Sequence, residues 1–110
     1  MSRTFIAILE EITPYEAAIL DKIYALPFEA TQHNGVWTAG LPAAAYAGNE
    51  KEEEPSEVKG HETDGKVVLA LANLKRLGCV QTAATWGGGE IFKRVVPTVL
   101  GKHFVAACTI

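Results

Sequence analysis

A chain of 110 residues fits one domain and is long enough to bury a core without disulfide or metal staples. Its 48% hydrophobic and 21% charged residues describe an ordinary soluble surface around that core, and no apolar run nears the roughly 18 residues of a membrane helix. The net charge of −3 conceals a division: residues 1–65 hold four basic against twelve acidic residues, whereas residues 66–110 hold six basic residues against Glu90 alone. Such asymmetry points to an acidic or polyanionic partner without choosing between them.

The first stretch, RTFIAILEE, sets Phe5, Ile6, Ile8 and Leu9 at the spacing of a short amphipathic helix. Glu10 and Glu11 interrupt its apolar run, and no small-residue cleavage site follows, so a secretory leader is rejected and a cytoplasmic location expected. Next, TPYEAAILDKIYAL carries a full start signal: Thr13 at the N-cap, Pro14 at the first helical position, and Glu16 three residues after the cap. Ala17, Ile19, Leu20, Ile23, Tyr24 and Leu26 give this helix a broad apolar stripe, and Pro27 closes it.

From Phe28 to Asp64 the pattern fades. Val36, Trp37 and Thr38 favour a short strand, and LPAAAY suits one helical turn or two. Within residues 47–63, GNEKEEEPSEVKG carries five glutamates, a proline and bounding glycines with no apolar period; residues 47–63 read as a solvated, mobile acidic loop.

Helical order returns over 64–77. Asp64 is placed to cap it, Val67, Leu71 and Leu74 stack at i, i+4 and i+7, and Val68, Ala70 and Leu77 join them. Gly78 stands where a left-handed C-cap belongs, and Lys75 and Arg76 suit the negative end of the helix dipole. CVQTAAT and EIFKRVV then read as two strands joined through WGGGE, a hairpin over 79–96. Thr98 is placed to cap a last helix, VLGKHFVAAC, with Leu100, Phe104, Ala107 and Cys108 inward.

The expected fold is therefore α+β: a single winged-helix-like domain over residues 1–110, with three to four helices, a C-terminal β-hairpin as the wing, and a final helix. ITPYEAAIL, ALANLKRLGCV and VPTVLGKHFVAAC also resemble the C-terminal part of the abortive-infection alpha (Abi-alpha) family of bacterial phage-defence proteins. The resembling positions are Asn73, Leu74, Arg76, Leu77 and Gly78, then Thr98, Gly101, Phe104, Ala107 and Cys108. The resemblance is carried in three separate blocks and excludes the acidic loop. Family members are longer at the N-terminal side, so the resemblance implies the C-terminal domain of a larger protein, and it implies no catalytic residues.

Little in the sequence points to chemistry. His33, His61 and His103 are scattered, and neither Cys79 nor Cys108 stands at a metal-ligand spacing from them, so no metal and no cofactor are expected. Both cysteines read as reduced, buried thiols rather than nucleophiles. Gly87, Gly88 and Gly89 lack the lysine and the following helix of a phosphate loop.

The expectation is a non-enzymatic interaction module of phage-defence type that meets a protein partner or a second copy of itself, with no membrane and no small-molecule ligand. The alternative is DNA binding through the 64–77 helix and the wing. In either case the contact residues would be Lys66, Asn73, Lys75 and Arg76 from the helix and Trp86, Lys93 and Arg94 from the hairpin. Trp86 would stack on a base or anchor the hairpin.

Overall fold

The computed structural model describes residues 3–49, 54–82 and 92–108. In chain order the elements are α1 (Arg3–Glu11), α2 (Pro14–Tyr24), α3 (Phe28–Asn34), β1 (Val36–Trp37), β2 (Tyr46–Ala47), α4 (Gly65–Arg76), β3 (Val80–Thr82), β4 (Arg94–Pro97) and α5 (Val99–Cys108). The class is α+β, with five helices and a four-stranded antiparallel sheet in the order β2-β1-β4-β3 among the described residues.

Local chemistry explains the helix ends. The Glu16 amide donates to Thr13 Oγ1 over 3.1 Å, and the Thr13 amide donates to Glu16 Oε1 over 2.9 Å, which completes the capping box. Asp64 caps α4 by accepting from the Lys66 amide at 2.8 Å. At the far end of α4, Gly78 takes φ +83°, its amide donates to the Lys75 carbonyl, and the Cys79 amide donates to the Leu74 carbonyl. These two bonds make a Schellman motif, and its usual apolar contact is present because Leu74 and Cys79 are both fully buried. Thr98 caps α5 by accepting from the Gly101 amide at 2.9 Å.

One side chain ties three of these ends together. The Tyr24 hydroxyl, at the end of α2, donates to the Cys79 carbonyl over 2.6 Å and accepts from the Thr98 amide over 2.9 Å. The Thr98 hydroxyl in turn donates to the Gly78 carbonyl over 2.7 Å. Burial raises the Tyr24 pKa, so the neutral phenol required by this latch is the favoured form. A Cβ at Gly101 would lie 2.0 Å from Tyr24 Oη and 2.3 Å from the Cys79 carbonyl oxygen, so only glycine lets α5 approach the latch.

In the sheet, Val36 pairs with Val95 and Trp37 with Arg94, while Val80 pairs with Pro97. Because neighbours across a ladder share a face, Val36, Val80 and Val95 point together into the core. There they meet Ile19, Leu20 and Ile23 of α2, Val67, Leu71 and Leu74 of α4, and Phe104 of α5. Phe5 of α1 meets Phe104 edge to face, with centroids 5.8 Å apart.

Several expectations need correction. Among the described residues four helices precede the β3–β4 pair and one follows it, within the expected number, but one of them forms where no helix was expected. That helix, α3, lacks an apolar stripe: its buried residue is Thr31, whose hydroxyl donates to the Pro27 carbonyl over 3.0 Å. LPAAAY forms a turn and then β2 rather than a helix, since Tyr46 finds a ladder partner in Trp37. In the acidic stretch, Val58 is only 3% exposed and Glu54 pairs with Lys93, so the described part of that loop is anchored to the body of the protein. Cys108 and Ala107 are exposed, because the last turn of α5 runs beyond the elements on which Gly101 and Phe104 pack. The hairpin strands pair as expected over the described residues, and β4 begins at Arg94 because Phe92 and Lys93 form a turn; residues 83–91 lie outside the described residues. Trp86 and the three-glycine connection lie outside the described residues.

Candidate interaction surfaces

The basic and polar residues singled out from the sequence fall into two groups on different elements. The first group lines one flank of α4. Asn73 donates through Nδ2 to both oxygens of Glu16, at 3.1 and 2.9 Å, and Glu16 is only 6% exposed. The Asn73 side-chain oxygen accepts from Arg76 Nε and Nη2, and Arg76 Nη2 also bonds Glu11 at 2.8 Å. Lys66 places its ammonium 4.3 Å from the centroid of the Tyr15 ring. Three of the four helix residues therefore close onto α1 and α2. The fourth, Lys75, is half-buried near the helix end.

The Glu16 arrangement follows from burial. A carboxylate taken out of water needs its lone pairs filled, and the Asn73 amide and the Thr13 backbone N–H do this together. One side chain thus serves both as a helix cap and as the inter-helix contact between α2 and α4.

The second group lies on and beside β4. Lys93 forms an ion pair with Glu54 across to the acidic stretch. That contact, with help from the Gly60 amide, holds the Glu54 carboxyl below the usual glutamate range. The Arg94 guanidinium lies 5.5 Å from the centroid of the Trp37 ring, on the sheet face opposite Val36 and Val95. Beside it, the Thr38 hydroxyl is hydrogen-bonded to the Phe92 and Lys93 carbonyls and to the Thr63 hydroxyl at 2.7 Å. Trp37 Nε1 is buried without a hydrogen-bond partner.

The outward face of α4 has a different character. Opposite the buried Val67, Ala70, Leu71 and Leu74 stand Gly65, Leu69, Ala72 and Arg76, all exposed and spaced as one ridge. Leu69 at its centre is 74% exposed. Charge does not single this residue out, but the phase of the helix does: Leu69 falls on the far side of the stripe set by Val67, Leu71 and Leu74.

The two thiols sit in different environments. Cys79 is buried and its pKa is pushed up to about 11 by desolvation, which keeps it protonated. Cys108 is exposed at the end of α5. His33, His61 and His103 are all exposed, and among the described residues no cluster of His, Cys, Asp or Glu could hold a metal ion. Among those residues no helix is long and apolar enough to cross a membrane.

No protein-family model, curated protein or solved structure matches this chain. Most residues that carry the resemblance to abortive-infection alpha proteins have structural duties. Asn73 and Arg76 fill the Glu16 site, Leu74 and Phe104 are core, Gly78 turns the chain, and Thr98 and Gly101 build the Tyr24 latch.

Proposed function

We propose that the protein is a non-enzymatic interaction module that docks a protein partner on the outward face of α4, in a setting of phage-defence type. The observation that carries this reading is Leu69, a large apolar side chain left 74% in water at the centre of a helical ridge. A single exposed leucine is unremarkable. Here, however, it is flanked by Ala72 and bordered by Arg76, an apolar centre with a polar edge of the kind protein interfaces use. The phage-defence setting rests on the sequence resemblance, and so does membership of a longer protein.

A winged-helix-like arrangement is supported by α4 leading into the β3–β4 pair, by β1 pairing on β4, and by α5 following. Two features depart from it. The sheet has β2 as a fourth strand, and among the described residues no helix lies between β1 and α4. A helix-turn-helix reader needs a helix directly before the one it inserts. The DNA alternative is also weakened at the side chains, since Asn73 and Arg76 direct their donors to Glu16 and Glu11, and the outward centre of α4 is leucine.

Two measurements test the proposal. A photo-crosslinking residue placed at Leu69 in the native host is expected to give a discrete protein adduct, while one at the exposed Glu29 of α3 gives none. Titration of duplex DNA at low salt is expected to show no binding. Binding whose log–log salt slope steepens by about −0.9 per phosphate contact, with no adduct at position 69, would replace the protein reading with the nucleic-acid one.

A further inference from the structure

We infer that α1 is a self-association surface, in which two copies of the chain pair their first helices antiparallel across a twofold axis. The inference rests on the reading of the protein as an interaction module and names one partner: a second copy.

The inward side of α1 is accounted for. Phe5, Ile8 and Ile12 face the core, and Glu11 on one flank pairs with Arg76. The opposite side carries Arg3, Ile6, Ala7 and Glu10, the i, i+3, i+4, i+7 set of a single helical face, with Leu9 beside it. All five are exposed, and Ile6 and Leu9 each leave 44% of their surface in water. The face is apolar in the middle and oppositely charged at its two ends.

Those end charges have no partner among the described residues. They also cannot reach each other, since seven residues of helix separate them by about 10.5 Å along the axis. Their placement runs against the helix itself. The first turn holds Arg3 and no acid, and the last turn holds Glu10 and Glu11 and no base, so the charges sit at the dipole ends that disfavour them. Glu11 is relieved by Arg76; Arg3 and Glu10 are not.

An antiparallel second copy relieves both. A twofold axis passing between Ile6 and Ala7 sets Arg3 of each copy opposite Glu10 of the other, because the two residues are equidistant from that point in the sequence. The same operation lays each helix start beside the other's end, where the dipoles attract. Ile6 is covered in the middle with Leu9 at the flank, and the small Ala7 allows the helices to come close. A twofold interface must be self-complementary, and this face meets that requirement in both charge and polarity. A parallel pairing would instead oppose Arg3 to Arg3 and Glu10 to Glu10. With only nine residues per helix the contact falls below the area of a standard stable interface, so the dimer is weak and forms at high concentration and low salt.

Sedimentation velocity on the full chain across a wide concentration range tests this. The wild type is expected to shift from monomer towards dimer as concentration rises. Arg3→Glu and Glu10→Arg, made singly, should each abolish the shift by setting like charges opposite, and the double reversal should restore it. Restoration excludes misfolding as the cause of the single losses. Leu69→Asp should leave the shift unchanged. A monomer at every concentration, or a dimer indifferent to either single reversal, overturns the inference while leaving the α4 crosslink free to stand. A dimer lost with Leu69→Asp overturns it too, by moving self-association to α4.

Discussion

The flank of α4 and the outer face of α1 each carry an arginine among polar and apolar neighbours, yet they differ in how the charges are resolved. On α4, Arg76 and Asn73 are closed inward by Glu11 and the buried Glu16, and the residues that resemble a recognition surface act as struts. On α1, Arg3 and Glu10 are paired with nothing among the described residues and flank exposed Ile6 and Leu9. Residue type alone does not separate a contact surface from a brace. The separating feature is whether the polar groups are already satisfied, which depends on helix rotation and on what the fold brings alongside.

Four measurements sharpen or break that contrast. Leu74→Ala probes the rotation of α4 on which everything about its flank depends. With the side chain fully buried, a loss of about 2–5 kcal/mol in a denaturant melt is expected, and no measurable loss would mean the flank points elsewhere. Asn73→Ala comes next, because it leaves the Glu16 carboxylate buried and short of donors. Urea denaturation should register about 1–3 kcal/mol, and a neutral result would make the flank as open as α1.

Arg76→Gln removes an ion pair whose two side chains are 59% and 50% exposed, so its thermal melt should change by less than about 1 kcal/mol, and the change should shrink further in salt. The smallest effect is of opposite sign. Arg3→Gln, studied in dilute solution where the chain is monomeric, takes a misplaced charge off the positive end of α1 and should raise stability by about 0.3 kcal/mol. A loss instead would show that Arg3 already has a stabilising contact within its own chain, and the contrast with α4 would disappear.

Short-range signals were legible in the sequence. The Thr13–Glu16 box, the Asp64 cap, Gly78 and the Thr98 cap all function as their residue types and spacing suggest, since each involves groups within five positions of one another. The apolar phases of α2 and α4 were equally readable. What lay hidden was built from distant pieces: α3 is held by a buried threonine rather than a stripe, and β2 exists because Tyr46 meets Trp37. In the candidate surfaces residue type names the polar residues of α4 but does not orient them, and Leu69 is marked by helical phase rather than by charge. Cys108 was placed inward because a stripe gives direction around a helix but does not show where the supporting core ends.

By itself the sequence determined the starts of α2, α4 and α5, the inward faces of α2 and α4, and the uneven distribution of charge, because these follow from hydrogen bonds and periodicities spanning a turn or two. The tertiary structure alone decided that Glu16 caps one helix and braces another, and that Tyr24 bridges Cys79 and Thr98. It also decided which charges are left facing water. The reason is that a polar group's availability is set by the partners that folding brings within hydrogen-bond reach. Those partners lie up to 74 residues away along the chain, beyond the reach of any local pattern.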